Sequence, residues 1–426
     1  MVIPQELYQD IVSHLNHDHD IGTRALLSVA QCSSVLRHEA QRVLFRHPFA
    51  FLWQDSDKQN CRGFSILRTH EAFLEAILLA PTSLGPLVRS YNQFQVSYSR
   101  QETDVKKRTC YMDAMEARKG QRSHVYELTE KALPFMTNLK YLYFMTLNGL
   151  TTSPKVLLQC SFQLELMEWY APGDKRDIAG SLLPRQQRLR HLDAPGWDAT
   201  KIDPESISKN LVSVRGSLED LSVLSRGRTI VAFEHHEAIR GRSSRIADTA
   251  YPRREDGLGS LKYLRVANYK TYLRLLGKSS PAEVFQNLLL LELVFWSPVE
   301  ISTFTLLPPT LQVLVLIDRV SGLGSGTVDI ALSAFSALPH LQYVDLGDCC
   351  HNSSVVIHRY NRLPESADTD VGSTERMSRE TILFDRGWGD HWWRDRAASL
   401  GWIEGTEDTM YRYMCERRPI EQGNEM

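Results

Sequence analysis

The fold class that this sequence predicts is an α/β solenoid: short parallel strands alternating with helices, preceded by a small three-helix unit. Three observations predict it. An L-x-x-L-x-L pattern recurs along most of the chain. Its pitch is close to constant. The first fifty residues lack it and carry apolar residues at helical spacing instead.

The pattern appears at Leu139/Leu142/Phe144, Leu164/Met167/Trp169 and Leu189/Leu192/Ala194. It returns at Leu218/Leu221/Val223, Leu261/Leu264/Val266, Leu288/Leu291/Leu293, Leu311/Leu314/Leu316 and Leu341/Val344/Leu346. Successive starts differ by 25, 25, 29, 43, 27, 23 and 30 residues. All but one gap lie close to the spacing of leucine-rich repeats, about 20–29 residues. The last two apolar positions of each match sit two apart, so on a strand both point to one face. A single repeat cannot bury that face, but stacked repeats can. The segments FMTNLKYLYF, GSLKYLRVANY, PPTLQVLVLID and LPHLQYVDLGDC are variants of one sentence, each with a turn-forming residue before the first leucine. The ninth position, commonly Asn or Cys, holds Cys349 in the last repeat but Leu147, Trp197, Tyr269 or Arg319 elsewhere. The predicted solenoid of leucine-rich repeats is therefore irregular, and it covers residues 139–350.

Three helices are predicted in residues 1–48. Pro4 suits a first helical turn, where its missing N–H costs nothing. Leu7, Ile11 and Leu15 follow at i, i+4 and i+8. The polar stretch from Asn16 to Gly22 reads as a loop. A second helix begins near Thr23 with Leu26, Leu27 and Val29, and a third runs from about Ser34 to Phe45, closed by Pro48. Three helices this short cannot bury a large core, so the unit needs the rest of the chain or a partner.

These residues resemble a known family. Ile3-Pro4-x-Glu6, Ile11, Leu15, Leu27-x-Val29-x-x-Cys32-Ser33-x-x-Leu36 and Ala40-Gln41-Arg42-Val43-Leu44-Phe45 look like an F-box, in the form that precedes degenerate leucine-rich repeats in fungal proteins. The resemblance implies binding to the Skp adaptor of a cullin–RING ubiquitin ligase. The implied contacts are Ile3, Pro4, Ile11, Leu15, Leu27, Val29 and Leu36. The repeats would then hold a protein substrate, and the chain would be a substrate receptor, not an enzyme. A plain helical cap on a repeat scaffold with no ligase role is the alternative.

Between the F-box and the repeats, residues 49–138 read as a helical linker with room for early irregular repeats. HEAFLEAILLA, residues 70–80, has the spacing of a helix. The 43-residue gap suggests an insertion over 225–257, rich in Arg and interleaved with acids. Residues 351–426 read as a surface loop followed by a cap, since four of the eight tryptophans cluster at Trp388, Trp392, Trp393 and Trp402. Such a cap would cover the open apolar end of a solenoid.

Composition excludes several classes. Lys plus Arg is 49 and Asp plus Glu is 51, for a net charge of −2. No bulk charge drives binding to nucleic acid or anionic membrane. Seven cysteines with no CxxC disfavour a zinc finger, a redox motif or a disulfide scaffold. No signal peptide or membrane span is read, so a cytoplasmic or nuclear protein is expected. His14, His17 and His19 with Asp18 and Asp20, and the pair His235-His236, read as solvated loops and not as metal ligands. Gly322-x-Gly324-x-Gly326 reads as a connection between repeats. There is no P-loop, GxSxG or HExxH. The expectation is no catalytic residue, no cofactor and no metal.

Overall fold

The structure is a computed structural model that describes residues 5–15, 20–46, 48, 63–93, 123–145, 155–170, 178–193, 203–235, 257–266, 268–295, 299–318, 326–349, 354–363 and 377–385. The chain forms two compact units, with described residues running up to Asn210 in the first and from Leu211 in the second.

The first unit opens with three helices: α1 (Gln5–Ser13), α2 (Asp20–Cys32) and α3 (Ser34–Arg46). The fourth helix, α4 (Gly63–Leu79), contains most of the predicted helical stretch. Four parallel strands follow: β1 (Ser90–Gln93), β2 (Tyr141–Met145), β3 (Leu166–Tyr170) and β4 (His191–Asp193). Their register aligns Tyr91, Leu142, Met167 and Leu192 in one buried row. β1 thus places a repeat inside the linker, with Val88 and Tyr91 taking the leucine positions. Phe144 stacks on Trp169 at 4.4 Å and meets Tyr126 of the helix over 123–132 at 6.2 Å. That row therefore faces the helical layer.

The turn residue before each first leucine ties repeats together. Asn138 Nδ2 donates to the Pro86 carbonyl at 2.8 Å, and Asn210 Nδ2 donates to the Gln187 carbonyl at 3.0 Å. In the second unit Asn287 Nδ2 donates to Gly259 O and Thr310 Oγ1 to Leu288 O. Each of these bonds satisfies a turn carbonyl of one repeat with a side chain of the next. Gly85 marks how close adjacent turns come. A Cβ there would clash with the Phe135 carbonyl, so the position excludes any side chain.

The second unit contains β5 (Ser213–Gly216), β6 (Ala232–His235), β7 (Tyr263–Val266), β8 (Leu290–Phe295), β9 (Val313–Asp318) and β10 (Tyr343–Cys349), all parallel. Val214, Phe233, Leu264, Leu291, Leu314 and Val344 align across them, all buried. The helix Tyr269–Leu276 packs on this face, with Tyr269 stacked on Phe295 at 5.0 Å.

Three features differ from the sequence expectation. Leu218/Leu221/Val223 is not a strand but part of the helix Leu218–Leu224. The reason is a capping box: Ser217 Oγ accepts from Asp220 N at 3.2 Å, and Asp220 Oδ2 accepts from Ser217 N at 2.7 Å. The strand lies just upstream, with Leu211 and Val214 in the leucine positions. Secondly, the stretch 225–257 is not all insertion. It contains β6, where Ile230 and Phe233 complete a repeat that lacks leucine. Residues 236–256 lie outside the described residues. Thirdly, the stretch read as a loop after residue 350 contains β11 (Ser354–Arg362) and β12 (Met377–Asp385). They form an antiparallel hairpin, and β11 pairs antiparallel with β10. The tryptophan cluster lies outside the described residues.

The hairpin is anchored by its side chains. Arg359 makes a two-pronged ion pair to Asp345 at 2.7 and 2.8 Å, and its guanidinium lies over the Tyr343 ring. Tyr360 donates to Thr327 Oγ1 at 2.7 Å. Arg362 donates to the carbonyls of Phe335 and Leu338, satisfying the end of the helix Thr327–Ala337.

The opposite face of the second unit's strands is also buried. Ala232, Tyr263, Leu290, Val294, Val313, Val315 and Ile317 form one apolar cluster there. Beside it runs a row of alternating charge: Arg215, Glu234, Arg265 and Glu292, register partners on consecutive strands. Arg215 Nε lies 3.1 Å from Glu234 Oε1. Arg265 bridges Glu234 at 2.5 Å and Glu292 at 2.8 Å. A charge removed from water is tolerated only with an opposite partner in place. Replacing Arg265 by Ala removes the cation shared by two buried carboxylates. It should cost about 3–5 kcal/mol of stability, read as a lower urea midpoint. A loss below about 1 kcal/mol would place the row in solvent-screened surroundings.

The first unit holds a neutral counterpart. His70 Nε2 lies 2.8 Å from the Tyr91 hydroxyl, which donates to Gln93 Oε1 at 2.8 Å and meets Thr129 Oγ1 at 2.7 Å. Thr129 sits on the helix over 123–132, so the network joins that helix to α4 and β1. Burial pushes the imidazole of His70 down to about 3 and raises the Tyr91 phenol. The folded state therefore refuses a proton that the unfolded chain takes up near pH 6.5. Stability falls as pH drops from about 6.5 towards 3, by up to about 1.4 kcal/mol per unit. Chemical denaturation at pH 7.5 and pH 5.5 should show this loss, and His70→Phe should reduce it by one proton.

Candidate functional site

The candidate site is the surface of α1–α3, and its construction begins with what these helices bury. Val12, Leu26 and Ala40, one from each helix, form a fully buried core. Leu15, Val29, Ala30, Leu36, Val43 and Leu44 pack around it. α1 ends at Ser13, and a turn from Leu15 N to Val12 O folds Leu15 inward. The side of α1 that faces the core is thus carried by Val12. The Leu7–Ile11 side faces out.

Two polar features hold the helices in place. Glu39 is buried and accepts from Gln9 Nε2 of α1 at 3.4 Å and from Arg42 Nε at 2.8 Å. Ser33 caps α3 by accepting from Leu36 N at 3.2 Å. The three helices are also joined to the unit behind them. Phe45 packs on Phe73 of α4 at 5.4 Å, and Arg46 O accepts from Arg89 N at 2.9 Å.

The core of this unit is filled, yet large apolar side chains remain outside it. Leu7 is 49% exposed, Ile11 54%, Leu27 51% and Val35 42%. They are four of the ten exposed large apolar residues among those described, and they fall within the first 46 residues. Such density marks a surface that gains by being covered. Among the described residues of this part, what stands out at the surface is apolar area.

Of the seven residues that the F-box resemblance singles out, Ile11 and Leu27 lie on this exposed surface. Leu15, Val29 and Leu36 pack against the core. Ile3 and Pro4 lie outside the described residues. Leu7 and Val35 are exposed as well and are not among those seven. Leu7 was legible, because it sits four residues before Ile11 on the same helical face. Val35 was not, because which side of α3 faces inward depends on how the helices pack. Of the histidines considered as metal ligands, His14 follows directly after α1, His235 is buried in β6, and the others lie outside the described residues.

The repeats present a different situation. Both faces of the parallel strands β6, β8 and β9 are buried, so this stretch of sheet is not an open groove. In the first unit Tyr141, Tyr143 and Leu166 likewise form a buried cluster. Cys160 is buried there too, with its thiol pushed up to about 12 by desolvation, which makes it a poor nucleophile. No described helix is long and apolar enough to cross a membrane.

No family model matches this chain, and no curated protein matches it. Among solved structures, it is similar to the leucine-rich repeat-containing protein LegL7 from Legionella pneumophila, at 13% identity and a TM-score of 0.32. That similarity covers 53% of this chain and 79% of LegL7.

Proposed function

We propose that this chain is the substrate-receptor subunit of an SCF-type cullin–RING ubiquitin ligase. One observation carries the reading. A three-helix unit with F-box-like sequence exposes Leu7, Ile11, Leu27 and Val35 although its own core is already filled. A Skp adaptor, and through it a cullin, is the partner proposed for that surface. A protein substrate would be held by the repeat units. The chain would act by proximity, raising the effective concentration of a substrate lysine near a thioester carried by other subunits. It would supply no catalytic group, cofactor or metal to that transfer, and it would work in the cytoplasm or nucleus.

The alternative is a leucine-rich-repeat scaffold with no ligase role. It is favoured by the inward packing of Leu15, Val29 and Leu36, three of the residues that the resemblance assigns to the adaptor. The two readings part on a simple experiment. Ile11 and Leu27 are exposed, so Ile11→Asp with Leu27→Asp leaves the three-helix core intact. The full-length chain is co-expressed with a Skp adaptor and purified, with thermal melting as the control for folding. Loss of two buried apolar contacts at about 1.5–3 kcal/mol each should weaken capture by about 100-fold or more. Unchanged capture by a folded double variant, or no capture by the wild type, leaves the scaffold reading in its place.

A further inference from the structure

We infer that Glu71, Glu75 and His124 form a binding site for a zinc ion that clamps α4 to the helix over 123–132. Glu71 and Glu75 stand four apart on α4, so their carboxylates lie on one face a turn apart. His124 comes from the first turn of the second helix. One donor atom from each of the three lies within 4.8 Å of the other two. His124 Nε2 and Glu71 Oε1 are already 3.2 Å apart. Two ligands bound to one tetrahedral zinc at about 2.0–2.1 Å sit about 3.3 Å from each other, so this pair has the edge of such a site.

The donor chemistry selects the ion. One imidazole nitrogen with two carboxylate oxygens suits zinc better than calcium or magnesium, which take oxygen alone. A carboxylate pair with one histidine leaves a fourth position for water. Glu71 is satisfied by His124 without any metal. Glu75 is the residue that an ion pair does not explain, because it has no ion-pair partner among the described residues. The i,i+4 spacing brings Glu75 beside the Glu71–His124 pair, so a metal ion would find all three donors together.

The site is also positioned independently of its ligand. The buried contacts from His70 through Tyr91 to Thr129 join the same two helices. His70 immediately precedes Glu71, and Thr129 lies five residues after His124. The two donor-bearing helices are therefore held at a set spacing, and little ordering is left for binding to supply. The helices join early in the first unit, so zinc there would stabilise that unit and act apart from the adaptor surface.

The experiment titrates zinc chloride into full-length protein stripped of metal, with His124→Ala and Glu75→Gln beside the wild type. Other zinc-binding side chains exist in the chain, so the readout is the difference between proteins. Wild type should hold one zinc per chain more than either variant, and saturating zinc should raise its melting temperature by about 2–4 °C more than theirs. Both replaced side chains are solvent-accessible, so the variants should fold. Equal zinc stoichiometry and equal melting shifts in all three proteins overturn the site. So does a loss confined to His124→Ala, because it would leave Glu75 with no part in binding.

Discussion

Every described strand from β6 to β9 is buried on both of its faces, and much of the second unit follows from that constraint. A strand alternates its side chains with period two. One set meets the helical layer and is apolar without exception along the row from Val214 to Val344. The other set has no such layer supplied by the repeat itself, yet it too is removed from water. Its apolar members cluster, and its charged members must pair. Since parallel strands put like positions side by side, pairing is possible only if charge alternates from strand to strand. Arg215, Glu234, Arg265 and Glu292 do alternate, and Arg359 reaches Asp345 across the antiparallel junction. A one-residue slip in any strand would send a charge into the leucine row, so the row of ion pairs opposes register errors.

The same reasoning explains how the parallel run ends. An open parallel strand leaves a line of unpaired backbone groups. β11 and β12 occupy that edge as an antiparallel hairpin, which needs no crossover helix. Arg359, Tyr360 and Arg362 of β11 attach it at three points. They reach Asp345 on the neighbouring strand, Thr327 at the start of the last helix, and the carbonyls at that helix's end. The α1–α3 unit has no comparable arrangement. Its surface retains apolar residues that neither its own core nor α4 covers, and this contrast makes it the part of the chain best suited to a partner.

The candidate site was partly legible. Helical spacing located α1–α3 and placed Leu7, Ile11, Leu27 and Leu36 on helices. It did not tell which of them face outward, because a helix with apolar residues on two sides can bury either. Packing chose Val12, Leu26 and Ala40 for the interior. The cluster of Glu71, Glu75 and His124 was less legible still. The Glu71/Glu75 spacing is visible in the sequence, but His124 is remote along the chain and joins them only through folding.

What the sequence determined by itself was the repeat: a leucine pattern whose pitch and turn residues require stacked strands, and a helical N-terminus distinct from it. It determined these because both depend on local periodicity and on turn residues such as Asn138 and Asn287. The tertiary structure decided where the pattern deceives. Ser217 and Asp220 cap a helix where the leucines suggest a strand. Val88/Tyr91 and Ile230/Phe233 make strands where leucine is missing, because a buried row accepts any apolar side chain of suitable size. It also decided which faces are closed. Burial of a face depends on what packs against it from elsewhere in the chain, and no local pattern encodes that.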